Sequence, residues 1–413
     1  MNQNKKAIVL GGTFPHIELL NILRKAGFYT ILVDYLPKPP AKHFADKHIL
    51  ASTLDPNAVM TIASEEKVDL VVSSCVDQAN VTAVYVGERL GLPIPYSYET
   101  AMKIANKSTM KKGLIDFGIR TAKYVNISSS EANYFDLINA KGLRFPLIVK
   151  PVDGNGSKGV IRVYHEGSLE QAIQKSRSVA RNGDLILEEF IIGREIAADC
   201  YVDENDFQLV MTRERVKKTN GKSMDEVEQI SGSFWPAQLN DKEITDFKYQ
   251  VEKIISAFEL KNVNLIVQAI LRDGEFYILE FSPRIGGGDN YDIIQKKTGC
   301  NLVEVSLNTF LGIKNTLNIV QDNWVHFDFY FYGKKGVFSD LEISENLKNH
   351  INVVHIKTYK NRNDVLQGNL TSSDRVGVML LRGRSQEELT ALIEIVRENG
   401  RVLDVEGKDI TLY

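Results

Sequence analysis

Short apolar runs alternate with helix-like segments over the first hundred residues. Continuous apolar runs of this kind are typical of buried parallel strands, and the segments between them carry apolar residues at helical spacing. The pattern predicts strands at Ala7–Leu10, Tyr29–Val33 and Asp69–Ser73, and helices at Ile17–Leu23 and Ala58–Glu66. This alternation predicts an α/β domain on an open parallel sheet, with Pro93 and Pro95 marking its exit.

Further along the chain the pattern changes to that of antiparallel α+β structure. One helix is expected from Glu99 to Phe117, another at Gln386–Asn399, and the turn Asp273-Gly274 is a hairpin signal. The polar stretch from Lys217 to Ser233 is expected to be a long loop between strands. Strands are expected at Leu147–Lys150, Val160–Tyr164, Leu185–Phe190, Glu195–Val202, Gln208–Arg213, Leu265–Leu271, Phe276–Phe281, Val325–Tyr332, Val353–Thr358 and Val376–Leu381.

Composition narrows the class of protein. The 413 residues include 50 Lys and Arg against 53 Asp and Glu, so the net charge of −3 gives no support for nucleic-acid binding. The three cysteines form no CxxC pair, which favours a reducing compartment. No signal-peptide pattern is present, and no stretch approaches the roughly 18 apolar residues of a membrane span. A multidomain cytoplasmic enzyme that contacts neither nucleic acid nor membrane is expected.

Two glycine-rich segments are candidate phosphate sites. Residues 154–159 (GNGSKG) match GxGxxG, but a strand follows them where a dinucleotide site needs a helix. A strand–glycine–strand segment predicts a flexible flap over phosphates, or an ordinary hairpin turn. Gly11-Gly12 lies between strand and helix, and Asp34 ends the next strand. Without a third glycine, and with Pro15 and His16 at the helix entrance, the alternative is a tight turn that holds no dinucleotide.

Four motifs, in order and spacing, resemble the carboxylate–amine ligases of the ATP-grasp superfamily over almost the whole chain. They are NKSTMKKGL from Asn106, FPLIVKPVDGNGSKGV from Phe145, LILEEFIIGREI from Leu185, and VQAILRDGEFYILEFSPRIGGG from Val267. The resemblance implies a nucleotide-binding-like domain at 1–98, an ATP-grasp domain at 99–320 with a lid subdomain at about 121–190, and a small α+β domain at 321–413.

The resemblance also assigns roles to individual residues. Lys107, Lys150 and the flap residues Gly154, Gly156, Ser157 and Gly159 would hold the ATP phosphates. Glu188, Glu189, Phe190 and Ile191 would present backbone groups to adenine, and Glu195 would bind the ribose hydroxyls. Gln268 and Glu280 would bind Mg²⁺, for which Mn²⁺ could substitute. Ser282 stands where the family has Asn, so it is the weaker third ligand. Arg284, together with Lys150, would act catalytically on phosphate charge.

The same residues also have purely structural interpretations. Lys103, Lys107 and Lys111 at i, i+4 and i+8 could form a solvated helix face, and 185–196 could be a strand ending in a charged turn. Arg213 and Arg215 could bind a substrate carboxylate or lie at a solvated strand end.

The implied activity is ATP- and Mg²⁺-dependent amide formation through an acyl phosphate. The partners would be a small-molecule carboxylate and an amine, and an amino acid is favoured because the C-terminal domain resembles that of L-amino-acid ligases. Glycinamide-ribonucleotide-synthetase-like and carbamoyl-phosphate-synthetase-like proteins are also similar, and a homodimer stays open. The alternatives are a bicarbonate-phosphorylating carboxylase type, an ATP-binding regulator with weak catalysis, favoured by Asn106 and Ser282, and an NAD-dependent oxidoreductase using Gly11 to Asp34.

Overall fold

The N-terminal part of the chain is a parallel α/β unit. The computed structural model describes residues 5–131, 133–154, 158–204, 206–218, 229–320, 322–368 and 374–412. The first elements are β1 (Lys6–Leu10), α1 (Phe14–Lys25), β2 (Tyr29–Asp34), β3 (Lys47–Leu50), α2 (Pro56–Glu66), β4 (Leu70–Val72) and α3 (Asp77–Leu90). The strands pair in parallel in the order β3–β2–β1–β4. The predicted α/β class of this part is therefore confirmed.

The helix expected from Glu99 to Phe117 is two helices, α4 (Tyr98–Ala105) and α5 (Lys107–Asp116). Asn106, between them, has an extended backbone with φ −93° and ψ 117°. Its side-chain oxygen accepts the N–H groups of Ser108 at 2.9 Å and Thr109 at 3.2 Å. The prediction of one helix is wrong because this asparagine caps a new helix where the apolar spacing continues unbroken.

The break separates three lysines that the single helix would have aligned. Lys103 pairs with Glu99 at 2.7 Å on the surface. Lys107 begins α5 and lies at a cleft, whereas the Lys111 side chain is fully buried. The interpretation of these lysines as one solvated basic face is therefore wrong.

A small antiparallel sheet with its own apolar core follows. Its elements are β5 (Tyr124–Ile127), α6 (Tyr134–Lys141), β6 (Leu147–Pro151), β7 (Ile161–Val163), α7 (Leu169–Arg177) and β8 (Leu185–Glu189). The strands pair in the order β5–β8–β6–β7, and α7 packs on them. This unit lies within residues 121–190, where the lid was expected.

A large antiparallel sheet forms the opposite wall of the central region. Its first elements are β9 (Arg194–Val202), β10 (Phe207–Lys218), β11 (Gln229–Trp235), α8 (Asp241–Ala257), β12 (Val263–Arg272), β13 (Glu275–Ser282), α9 (Asn290–Thr298) and α10 (Leu302–Phe310). The strand order is β13–β12–β9–β10–β11. The long loop expected from Lys217 to Ser233 is wrong at both ends, because those residues belong to paired strands and sheet pairing satisfies their polar backbone; residues 219–228 lie outside the described ranges.

The same sheet continues into the C-terminal part of the chain. There β11 pairs with β14, with Phe234 opposite Phe327 and Trp235 opposite His326, and β18 and β16 follow in the sheet. The C-terminal elements are β14 (Val325–Gly333), β15 (Gly336–Ile343), α11 (Glu345–Lys348), β16 (Val353–Thr358), β17 (Val365–Leu366), β18 (Arg375–Gly383), α12 (Gln386–Asn399), β19 (Gly400–Asp404) and β20 (Thr411–Leu412). In the described part of the chain, no helix is long and apolar enough to cross a membrane.

Candidate functional site

A cleft of about 1090 Å³, counted with its open mouth, lies between the small sheet and the large sheet. Ten of the predicted site residues line this cleft: Lys107, Lys150, Gly154, Glu188, Glu189, Phe190, Ile191, Glu195, Gln268 and Glu280. Residues expected to share one ligand, although spread over 174 positions of sequence from 107 to 280, therefore share one cavity.

Lys150 belongs to a buried charge network. Its ammonium lies 2.9 Å from Glu188 Oε2, and the other carboxylate oxygen lies 3.2 Å from the Lys111 ammonium. Burial lowers the pKa of Lys111 from 10.5 to about 8, although Glu188 opposes the shift. For Glu188 burial works toward a higher pKa, but the two lysines outweigh it and the pKa is lowered. One carboxylate thus holds two lysines, and only Lys150 reaches the cleft.

Lys107 lies at the base of the flap. Its backbone N–H donates to the Val152 carbonyl at 2.9 Å, and its ammonium donates to the Gly154 carbonyl. Gly159 has φ +71°, and a Cβ there would lie 2.4 Å from Val179 Cγ2, so this position requires glycine. Gly156 and Ser157, predicted for phosphate binding, lie outside the described residues. The described part of the flap and its base therefore place two ammonium groups, those of Lys107 and Lys158, and one tight turn beside the cleft.

Two backbone N–H groups of the segment predicted to bind adenine, Glu188 to Ile191, already have partners within the protein. The Glu189 N–H donates to the Lys123 carbonyl at 2.9 Å, and the Phe190 N–H donates to the Pro146 carbonyl at 3.0 Å. These two donors are therefore used inside the protein, and the contact with adenine stays a prediction for the remaining backbone groups of this segment. The Phe190 ring lies 4.7 Å from the Arg162 guanidinium, which also lines the cleft.

Glu195 lies between two cations of the neighbouring strand β10. Its Oε1 is 2.6 Å from Arg215 Nη1, and its Oε2 contacts the Lys217 ammonium. Burial works toward a higher pKa, but Arg215 and Lys217 outweigh it and lower the pKa of Glu195 to about 2. The three side chains form one charged wall of the cleft. The predicted ribose contact of Glu195 stays a prediction, since a ribose hydroxyl would have to share the carboxylate with these cations.

Gln268 and Glu280 are neighbours on the β12–β13 hairpin. They stand opposite each other in the strand register, and Gln268 Nε2 donates to Glu280 Oε1 at 2.9 Å. An amide carbonyl and a carboxylate are hard oxygen donors, as Mg²⁺ prefers. No cluster of three or more His, Cys, Asp or Glu side chains suited to a metal occurs among the described residues. The pair therefore fits a metal that takes its other ligands from phosphate oxygens and water.

Ser282 and Arg284 are not among the residues that line the cleft, but they follow the lining residue Glu280 by two and four positions. Both contact Asp77, the first residue of α3. Arg284 Nε and Nη2 donate to the two Asp77 oxygens at 2.7 and 2.8 Å, and the Ser282 hydroxyl also bonds this carboxylate. The prediction that Ser282 is a metal ligand receives no support from this geometry, because its hydroxyl is directed to Asp77.

Two further predictions concern the arginines of β10 and the Gly11-Gly12 turn of the N-terminal unit. Arg213 is buried and paired with Asp199 inside the sheet, whereas Arg215 lines the cleft, so only Arg215 stays a candidate for a substrate carboxylate. The two oxygens of Asp34 accept the N–H groups of Gly12 at 2.7 Å and Leu36 at 2.8 Å. Because both oxygens of Asp34 bind backbone groups of the protein itself, they favour the tight-turn interpretation of Gly11-Gly12 over a dinucleotide site.

Comparison with known proteins agrees with this geometry. The sequence profile of the ATP-grasp domain matches residues 143–292, which contain β6, the flap, the hinge and the Gln268–Glu280 hairpin. These residues are therefore similar to an ATP-grasp domain. The match begins between α6 and β6 of the small sheet and ends in α9.

Curated relatives match a longer stretch of the chain. The carbamoyl phosphate synthase large chain of Clostridium beijerinckii is 24% identical over 329 residues, covering 76% of this chain and 30% of the relative. The chain thus spans less than a third of that curated relative.

Two solved structures show the same fold. An L-amino acid ligase from Bacillus licheniformis has a TM-score of 0.77 at 21% identity, covering 98% of this chain and all of the ligase. The biotin carboxylase domain of 2-oxoglutarate carboxylase from Hydrogenobacter thermophilus, solved with MgADP and bicarbonate, has a TM-score of 0.75 at 13% identity, covering 99% of this chain and 92% of that one.

Five charged residues of the cleft and its surroundings were missed by sequence reasoning: Lys111, Lys158, Arg162, Lys217 and Asp77. The alternation of Arg215 and Lys217 along one strand was a usable signal, since residues i and i+2 share a face. Nothing local marks Lys111 or Asp77, because each acquires its role from a partner far along the chain.

Proposed function

We propose that the protein is an ATP- and Mg²⁺-dependent carboxylate–amine ligase that forms an amide through an acyl phosphate. The observation that carries the proposal is the meeting, in one cleft, of Lys107 and Lys150 from one side with the Gln268–Glu280 pair from the other. Cations and a hard-ligand pair are what a metal-bound polyphosphate requires.

The residues have separable tasks in this reaction. Lys107 and Lys150 bind phosphate oxygens, and Phe190 with Ile191 covers the base. Gln268 and Glu280 would hold Mg²⁺, or Mn²⁺ in its place, which supplies further charge neutralisation when bound. The substrate carboxylate attacks the terminal phosphorus, whose bond to the bridging oxygen breaks and releases ADP, and the amine then displaces phosphate from the acyl phosphate with loss of a proton. Such phosphoryl transfer depends on positioning and electrostatics, so the protein needs no covalent nucleophile.

An amino acid is the proposed carboxylate. The fold likeness to an L-amino acid ligase supports this choice, and Arg215 on the cleft wall is a suitable carboxylate partner. Carboxylases that phosphorylate bicarbonate would use the same ATP residues, so only substrate tests separate these two reactions.

The test is ADP release with MgATP across a panel of amino acids, other carboxylates, amines and bicarbonate. Glu280→Ala is expected to abolish substrate-stimulated ADP release because it removes the carboxylate ligand of the metal. Glu275→Ala is the matched control, since Glu275 is an exposed residue of the same strand outside the cleft. Near-normal ADP release by Glu280→Ala would contradict the metal assignment.

The panel also decides between reaction types. Stimulation by an amino acid and an amine together supports the ligase. Stimulation by bicarbonate alone would instead favour the carboxylase type. ATP binding without stimulation by any compound would favour an ATP-binding regulator.

A further inference from the structure

Asp77 joins the N-terminal unit to the arginine expected to act on phosphate charge. Asp77 begins α3, just after β4, and Arg284 follows β13, 207 positions later in the chain. The guanidinium meets the carboxylate with two parallel hydrogen bonds, from Nε at 2.7 Å and from Nη2 at 2.8 Å. Paired bonds of this kind fix the plane of a guanidinium as well as its position.

A third contact completes the fixation. Nη1 of Arg284 donates to the carbonyl oxygen of Ile285 at 2.9 Å. A guanidinium has five N–H groups, so these three bonds leave one on each Nη. Arg284 can therefore bind an anion with two N–H groups while Asp77 still holds it.

The charge state of the pair is secure. Burial works toward a higher pKa for Asp77, but the Arg284 charge outweighs it, so the pKa is lowered and the carboxylate is ionised near neutral pH. The Arg284 side chain is 13% exposed and the Asp77 side chain 28% exposed, which leaves the pair reachable from the solvent side. The Ser282 hydroxyl bonds the same carboxylate, so Asp77 organises the whole segment that leaves β13.

We propose that Asp77 is a positioning residue of the ligase reaction, which fixes the Arg284 guanidinium across the boundary between the N-terminal unit and the ATP-grasp domain so that its remaining N–H groups meet the transferred phosphate. This inference rests on the proposed function. It gives the N-terminal unit a direct part in phosphoryl transfer, and it makes Ser282 a partner of Asp77 and not a metal ligand.

The variants form a double-mutant cycle. Asp77→Asn keeps the size of the side chain but cannot accept both guanidinium bonds, Arg284→Ala removes the partner, and the double variant combines them. Asp46→Asn is the matched control, because Asp46 pairs with Arg24 at 3.5 Å within the same N-terminal unit and outside the cleft. Should Asp77→Asn fail to fold, Asp77→Glu, which displaces the carboxylate by one methylene, replaces it in the same cycle.

Turnover gives the first readout. Asp77→Asn is expected to lower kcat for substrate-stimulated ADP release at least about ten-fold and to raise KM for ATP several-fold, because lost orientation weakens the contact with the terminal phosphate in the ground state and more strongly in the transition state. In the Arg284→Ala background the same change should have less than about a two-fold effect, since residues that act as a unit are non-additive. Unchanged or faster turnover of Asp77→Asn, or an equal additional loss in the double variant, would overturn the proposal.

A binding readout needs no carboxylate substrate. Calorimetry with Mg²⁺ compares the affinities of the β,γ-imido analogue of ATP and of ADP, whose ratio reports on the terminal phosphate. Asp77→Asn should reduce this ratio several-fold without changing ADP affinity, and Asp46→Asn should leave it unchanged. An unchanged ratio in Asp77→Asn contradicts the role of Asp77, whereas the absence of any substrate-stimulated ADP release in the unsubstituted protein would contradict the ligase proposal alone.

Discussion

Replacement of Glu188 by Gln tests the buried charge network directly. Glu188 holds Lys111, which has no exposed surface, and Lys150, which reaches the cleft. Removing one partner of a buried ion pair commonly costs about 3–5 kcal/mol, because the remaining charge is stranded. Lys111 has an escape from this penalty, since it can lose its proton.

The magnitude follows from the pKa of Lys111, which is about 8 in the folded protein and 10.5 ordinarily. Losing that proton costs about 1.4 kcal/mol per pH unit below 8, hence about 1.4 kcal/mol at pH 7 and about 2.7 kcal/mol at pH 6. At pH 8 the cost vanishes. In the variant the folded pKa falls further below 10.5, so its unfolded state binds more protons and its stability rises with pH.

The assay is urea-induced unfolding followed by far-UV circular dichroism at pH 6, 7 and 8. The difference in unfolding free energy between Glu188→Gln and the unsubstituted protein should shrink by about 1.4 kcal/mol per pH unit, on top of a constant contribution from Lys150. Glu99→Gln, which breaks the exposed pair with Lys103, should show no such slope. A penalty of 3–5 kcal/mol that does not change with pH would refute the reasoning.

Two further substitutions test other parts of the fold. His16 is fully buried, and burial lowers its pKa from 6.5 to about 4, so this residue should cost the protein up to about 3 kcal/mol of stability as pH falls from 6.5 to 4. The pH dependence of unfolding should flatten in His16→Gln, and an unaltered slope would contradict the assignment. Gly193→Ala places a Cβ 2.4 Å from the Leu271 carbonyl oxygen and should destabilise by about 1–3 kcal/mol in thermal or urea unfolding. Gly167→Ala, with its nearest atoms at 3.4 Å, is the control, and equal stability of the two variants would show that the strand can move aside.

Much of the fold was predictable because local pattern and final structure agree. The strand Val353–Thr358 and the helix Gln386–Asn399 have the bounds that the apolar spacing predicts. The strand β11 was missed because it contains Gly232 and two serines, which lack strand propensity. Its place in the sheet depends on packing, since a Cβ at Gly232 would lie 2.4 Å from the Phe327 ring and only glycine fits there.

The candidate site divides in the same way. Lys150 and Glu280 could be predicted because each lies near the end of a strand within a short motif. Asp77 and Lys111 were missed because their partners are distant in sequence, and a charge on a helix looks the same whether it meets water or a buried carboxylate. At Asn106 a local signal was present but was interpreted wrongly. The residue differs from the family motif, and the sequence suggested only a weakened site, whereas its side chain caps α5.

The pairing of β11 with β14 carries sheet hydrogen bonds across position 320, where the C-terminal domain was expected to begin. A chain truncated there would lose the neighbour of β11 and uncover Phe234 and the fully buried Trp235 along an unprotected edge. Such an edge is a template for pairing with other chains, so the shortened protein would aggregate and would not behave as an independent nucleotide-binding module. The last ninety residues are therefore not an independent domain that can be exchanged alone. A chimaera that takes them from a relative would also need that relative's strand equivalent to β11.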